Sequence, residues 1–413
     1  MRPELAKTKE TAELEVYRGS EQVGTLIRTL SGARFTYDRE YADRHASSAH
    51  RAIAFAMAVR AQHYDVAGTN LHPFFAGLLP EGLRFRALAR GLKTSEDDLF
   101  SMLVAAGGNT VGDVWVKPTG AGFLPAVPVV ETHELSERSF EELLAQSLDW
   151  SQRGDATTVA GMQPKVSAAM ISFPMRARRT RREYILKLSP PEYPRLVENE
   201  FFFMRLTRSM KLSTANVELV HDREGRAGLL VERFDRVPAS TDKQAPMRRL
   251  HQEDACQLLD RYPADKYRLS LREISEALEV CSAPTVERLR LLQLQALAYL
   301  IGNGDLHGKN VSVLVCDGRT RLTPIYDMLS TLPYGDDHLA LKMDGRDKAL
   351  RRRDFIAFGE RIGVRRAATE RMLDALARGV SSQLAGLGEI GLEQRKARQL
   401  ERTIRKHLDL VTG

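Results

Sequence analysis

Apolar and polar positions alternate with period two near the start of the chain and shift to helical spacing further along. Leu14-Glu15-Val16-Tyr17, Val23 to Leu30 and Phe35-Thr36-Tyr37 are separated by Arg18-Gly19-Ser20 and Ser31-Gly32, which predicts a small β-meander. Pro73 to Leu92 and Ser95 to Ala106 carry helical spacing, the second with a Ser95-x-x-Asp98 start and a Gly107-Gly108 stop. Ala121 to Thr132 has two prolines and little periodicity and reads as a linker, so a first module is placed at residues 1–130.

A lead-in helix from Ser139 to Ser151 is followed by predicted strands at Lys165 to Ile171 and Glu183 to Leu188, a helix at Glu198 to Lys211, and strands at Val217 to Val220 and Gly228 to Arg233. Strand, strand, helix, strand, strand is the order of a kinase small lobe, assigned here to 131–236. Beyond Arg236 helical spacing dominates, including Leu271 to Leu278 and an apolar helix from Val286 to Ile301. It is interrupted between Gly302 and Tyr334 by two loop motifs around short strands at Ser312 to Cys316 and Arg321 to Ile325. The predicted fold class is α+β: a two-lobed, protein-kinase-like core, with a helical large lobe at 237–413, preceded by a small β-containing module.

Composition narrows this picture. A length of 413 residues exceeds one ordinary core, and 43% apolar residues suffice for two or three subdomains. A net charge of +7 suits an acidic partner such as nucleotide or DNA, and equally a solvated basic surface. Cys256, Cys281 and Cys316 are scattered without metal-ligand spacing, so neither a disulfide nor a structural zinc is expected. Arg2, Glu4, Lys7, Lys9 and Glu10 replace an apolar leader, and no apolar run approaches the ~18 residues of a membrane helix. The expectation is a cytoplasmic protein with no membrane partner.

The strongest chemical signal is Gly302-Asn303-Gly304-Asp305-Leu306-His307-Gly308-Lys309-Asn310, followed after a hairpin by Ile325-Tyr326-Asp327. Phosphoryl transfer requires a carboxylate to orient the attacking hydroxyl, and an amide and a second carboxylate to hold Mg²⁺. Asp305 and Asn310 have the spacing of a kinase catalytic loop; Asp305 is assigned as catalytic base, with Asn310 and Asp327 as metal ligands. Lys309 either touches the γ-phosphate or stays solvated, and His307 braces the loop. Gly308 and Tyr326 are also placed in the ATP site.

Lys187 lies inside the apolar strand Tyr184-Ile185-Leu186-Lys187-Leu188, where a buried ammonium needs an anion; the phosphates of ATP would serve. Its protein partner is sought on the next helix, at Glu198 or, preferably, Glu200. Val159-Ala160-Gly161-Met162-Gln163-Pro164-Lys165 precedes the first small-lobe strand, where backbone N–H groups would cover phosphates. Glu232, Arg233 and Phe234 fall where an adenine-binding hinge belongs, although Arg233 and Asp235 serve equally as a structural ion pair.

Taken together, these stretches resemble the HipA family of serine/threonine kinase toxins over nearly the whole chain. Further points of likeness are Gly77-Leu78-Leu79-Pro80-Glu81, Asp98-Leu99-Phe100, Gly112-Asp113-Val114, Asn199-Glu200, Val231 to Arg236 and Leu250-His251-Gln252-Glu253-Asp254. The resemblance implies ATP- and Mg²⁺-dependent phosphorylation of a translation protein, glutamyl-tRNA synthetase in one branch. It also implies a helix-turn-helix antitoxin partner of the HipB type and repression through operator DNA. The family's autophosphorylated serine is replaced here by Thr158, beside Thr157, so the site and rate of that switch stay open. Lys348, Arg351, Arg352 and Arg353 lie near where related chains touch operator phosphates; a solvated helix face accounts for them equally well. Arg176 to Arg182 reads as an exposed loop. A similar Gly-Asp-Leu-His-x-x-Asn loop occurs in aminoglycoside and choline phosphotransferases, and a non-catalytic antitoxin- and DNA-binding co-repressor would keep the fold but lack a catalytic group.

Overall fold

The computed structural model describes residues 9–46, 48–68, 70–121, 131–143, 170–178, 180–239 and 247–413. The amino-terminal module is an antiparallel sheet of β1 (Glu13–Arg18), β2 (Glu21–Thr29), β3 (Gly32–Tyr37), β4 (Tyr64–Ala67) and β5 (Val114–Pro118) in the order β4-β3-β2-β1-β5. The meander is as predicted, but it is extended at both edges. β4 and β5 are too short or too uniformly apolar to show an alternation, and pairing with β3 and β1 decides their state. Leu14, Val16, Phe35 and Tyr37 point from alternate positions into a core completed by Phe74, Phe75, Leu88, Phe100 and Leu103.

Helix α1 (Arg39–His45) precedes the three helices α2 (Pro73–Gly77), α3 (Gly82–Leu92) and α4 (Leu99–Ala106). The predicted helix from Pro73 to Leu92 is two helices, because Pro80 cannot donate to the preceding turn. The predicted start at Ser95 also moves. The Asp98 carboxylate accepts from the Ser101 amide at 3.2 Å, so Asp98 caps α4.

The small lobe is a four-stranded antiparallel sheet, β6 (Ile171–Arg176), β7 (Glu183–Leu188), β8 (Val217–His221) and β9 (Ala227–Glu232), ordered β6-β7-β9-β8, with helix α5 (Leu196–Ser209) between β7 and β8. The first strand was expected at Lys165 to Ile171. The first described strand starts at Ile171, and residues 165–169 of that expectation lie outside the described residues. The 121–132 linker lies mainly outside them too, and of the 139–151 helix residues 140–143 are described and helical. Phe140 packs with Phe173, Leu186 and Leu230 under the sheet.

A two-stranded ribbon, β10 (Arg236–Pro238) with β11 (Met247–Arg249), leads to a three-stranded sheet of β12 (His251–Asp254), β13 (Ser312–Cys316) and β14 (Arg319–Leu322). The large lobe is built on α6 (Ala255–Leu258), α7 (Leu271–Ala277), α8 (Pro284–Ile301), α9 (Arg352–Arg361), α10 (Arg366–Gln383) and α11 (Gln394–Thr412). From Leu294 to Ile301 every residue of α8 is buried, so this helix is the axis of the lobe. No described helix is long and apolar enough to cross a membrane.

Candidate active site

The end of α8 launches the loop that carries Asp305. Gly302 adopts φ +68°, and its N–H and that of Asn303 close onto Tyr299 and Ala298 carbonyls at 3.2 and 2.8 Å, the left-handed helix ending that glycine permits. The loop is then pinned by its own polar groups. The Gly304 amide donates to Thr331 Oγ1 at 2.8 Å, the Asp305 amide to Asn303 Oδ1 at 2.9 Å, and Asn310 Nδ2 to the Asp305 carbonyl at 3.1 Å. Asp305 is buried, and its Oδ1 accepts from the Tyr267 hydroxyl at 2.8 Å.

Opposite this loop, β7 presents Lys187, whose amine lies 2.7 Å from Glu200 Oε1 on α5 and also contacts the Asp327 carboxylate. Burial opposes charge on Lys187, but Asp327 and Glu200 more than offset it, so its pKa lies above the usual lysine value. Asp327 has φ +54°, a conformation L side chains rarely adopt, and the strained backbone turns its carboxylate toward the lysine. Asn199, beside Glu200, donates to the Ser330 carbonyl and accepts from the Ser330 amide, both at 2.9 Å. These bonds tie α5 to the segment that follows Asp327.

Phe234 and Tyr326 meet with ring centroids 5.5 Å apart, and the Tyr326 hydroxyl donates to the Lys309 carbonyl at 2.7 Å, joining the end of the small lobe to the loop that carries Asp305. His307 packs edge-on against Tyr267 at 5.0 Å. The Lys309 amine lies 2.8 Å from Asp254 and donates to the Gly77 carbonyl at 3.3 Å, so it is neither solvated nor open toward a phosphate in this state.

At the expected hinge, the Glu232 and Arg233 amides donate to the Asn216 and Glu183 carbonyls, each at 2.9 Å. Glu232 also binds Arg182 and Asn216 through its side chain. The Arg233 guanidinium pairs with Asp235 at 3.0 and 2.7 Å and donates to Thr110. Of the two roles open to it, the ion pair is the one its side chain takes. Thr157, Thr158 and Val159, Ala160, Gly161, Met162, Gln163 and Pro164 lie outside the described residues. Lys348, Arg351 and Arg353 are exposed at the start of α9, whereas Arg352 pairs with Asp374 at 2.6 Å. Tyr267 was missing from the sequence reading: it is 38 residues from Asp305, and no spacing rule joins them.

An antiparallel small lobe bearing a lysine clamped to a helix glutamate, set over a helical lobe with an Asp-Asn loop and a second aspartate, defines a protein-kinase-like fold. The HipA-like C-terminal domain matches residues 157–384 and the HipA N-terminal domain residues 14–117. The chain therefore belongs to the HipA family. Putative kinase Y4mE of Sinorhizobium fredii is 34% identical over 279 residues, covering 64% of this chain and 65% of that protein. Putative kinase Y4dM of the same organism is 31% identical, and 66% of its length is covered, so the chain spans just under two thirds of these two relatives. The serine/threonine-protein kinase toxin HipA of Shewanella oneidensis is 30% identical over 305 residues, 68% of each chain. The fold is also that of a chain in the Shewanella oneidensis complex of HipA, HipB and operator DNA, with a TM-score of 0.74, 21% identity and 96% of both chains covered.

Proposed function

We propose that this chain is an ATP- and Mg²⁺-dependent serine/threonine-protein kinase toxin that phosphorylates a hydroxyl on a translation-related protein such as glutamyl-tRNA synthetase. The observation that carries the reading is the Lys187 amine held between Glu200 and Asp327. A lysine kept charged by carboxylates from both lobes is ready to meet phosphates. The donor chemistry fits magnesium as well: Asn310 spends its amide nitrogen on the Asp305 carbonyl, which leaves the amide oxygen, and Asp327 adds a partly exposed carboxylate. When bound, the ion neutralises charge on the phosphate oxygens.

In this mechanism Lys187 positions the phosphates, Asn310 and Asp327 hold the metal, and Asp305 aligns the acceptor hydroxyl and receives its proton. Phe234 and Tyr326 border the adenine side, next to the Glu232 and Arg233 backbone. His307 and Gly308 hold the loop. Residues 159–164 cover the phosphates, and autophosphorylation at Thr158, or the adjacent Thr157, regulates that cover. A HipB-type helix-turn-helix antitoxin and operator DNA are the partners, with Lys348, Arg351 and Arg353 available to phosphates and Arg352 only if it leaves Asp374. Acting on translation, the chain works in the cytoplasm.

Transfer of labelled γ-phosphate by wild-type and Asp305→Asn protein tests this reading. The substitution is expected to lower the rate by roughly 10²–10⁴, the worth of a positioned base. Mass spectrometry should find a phosphopeptide spanning Thr158 in the wild type and none in Asp305→Asn. No transfer by the wild type, or equal transfer by both, overturns the assignment.

A further inference from the structure

The loop that carries Asp305 leans on the amino-terminal module, and the contacts come from one short segment, Gly77-Leu78-Leu79-Pro80-Glu81. The Gly77 carbonyl accepts from Lys309 at 3.3 Å, 232 residues away in the chain. Glu81 Oε2 lies 3.0 Å from the Lys266 amine, 185 residues away. Lys266 in turn accepts from the Gly308 amide through its own carbonyl at 2.9 Å. The next residue, Tyr267, donates its hydroxyl to Asp305 Oδ1 at 2.8 Å.

The contact is built closely. A Cβ on Gly77 would lie 2.8 Å from the side chain of Gln257, whose amide donates to the Phe74 carbonyl at 3.0 Å. A Cβ on Gly308 would lie 2.5 Å from Leu269 and 3.2 Å from the Cys256 sulfur. Lys266 is buried and needs an anion, which Glu81 supplies. The Lys266 amine also stands 5.3 Å from the centre of the Tyr267 ring, which meets His307 edge-on. Tyr267 thus has two close neighbours besides Asp305.

We propose that Tyr267 is a positioning residue for the Asp305 carboxylate, and that the amino-terminal module holds it there through Glu81 and Lys266. The inference rests on the kinase reading of Asp305. A hydroxyl bonded to the carboxylate fixes the side-chain rotamer, and such charge-assisted bonds are the stronger kind. Because phosphoryl transfer is mostly positioning, a displaced carboxylate slows turnover without weakening nucleotide binding.

The full chain is tested as Tyr267→Phe, Glu81→Gln and the charge swap Glu81→Lys with Lys266→Glu. Tyr267→Phe is expected to lower kcat roughly tenfold with KM for ATP and Tm unchanged, the pattern of an interaction used in the chemical step. Glu81→Gln should lower kcat in the same sense and speed deuterium uptake across residues 304–310, and the swap should restore both toward wild type. If Asp305→Asn is inactive while Tyr267→Phe keeps kcat within about twofold of wild type, the proposal is wrong and the kinase reading stands. If the wild type transfers no phosphate, the kinase reading fails and the positioning role falls with it. Unchanged uptake at 304–310 in Glu81→Gln overturns the part assigned to the module.

Discussion

Lys187 and its two carboxylates form a buried cluster that is costly to break. Lys187→Met would leave Glu200, which is fully buried, without its counter-charge, and the expected loss is about 3–5 kcal/mol in urea unfolding. Glu200→Gln is milder for stability, because Asp327 still neutralises the lysine. It lets the amine swing out of register, and initial rates should fall roughly 10²-fold, the cost of a small misplacement. The spacing of Asp305, Asn310 and Asp327 and the lone lysine in an apolar strand were legible in the sequence. The choice between Glu198 and Glu200 needed the helix phase. Two residues apart, they point about 200° from each other around α5, and Glu198 turns to Arg195 while Glu200 turns to β7.

Among the elements, α8 and the loop it releases depend on one glycine. At Gly302 an added Cβ would sit 2.2 Å from Leu332 in a left-handed conformation, so Gly302→Ala is strained twice. We expect it to cost about 1–3 kcal/mol in chemical denaturation and to depress phosphotransfer, because Thr331 and Asn303 then lose their register with Gly304 and Asp305. Most helices and strands of both lobes were readable from periodicity, since local backbone geometry sets a period of 3.6 or 2, but the short strands β10, β11 and β12 were not. The boundaries that moved were decided by single groups: Pro80 divides a continuous helical pattern, and the Asp98 carboxylate caps α4 where Ser95 had looked sufficient.

At the scale of the whole molecule, the amino-terminal module is joined to the core through buried charge. Arg233 and Arg236 share Asp235, and both donate to the Thr110 carbonyl, at 2.9 and 2.8 Å. Nearby, His251 bridges Asp113 at 2.9 Å and Glu253 at 2.7 Å, and Glu253 accepts from the Phe55 amide. Burial disfavours charge on His251, but Asp113 and Glu253 override it and raise its pKa to about 9. A raised histidine contributes stability fully below its ordinary value of 6.5, and that contribution is lost as pH rises through about 9. Wild-type protein should lose up to roughly 3 kcal/mol between pH 6.5 and 10, whereas His251→Gln should start lower and stay flatter over that range. Thermal unfolding across the pH series measures both.

By itself, the sequence determined the α+β class, the order of the lobes, and the lysine, aspartates and asparagine of the candidate site, because each is written in short-range periodicity or spacing. Only the tertiary structure decided which carboxylate meets Lys187, that Tyr267 reaches Asp305, and that Glu81 and Gly77 of another module meet Lys266 and Lys309. The physical reason is that these contacts join residues up to 232 positions apart, where burial forces each charged group to find a partner and chain spacing carries no record of which one.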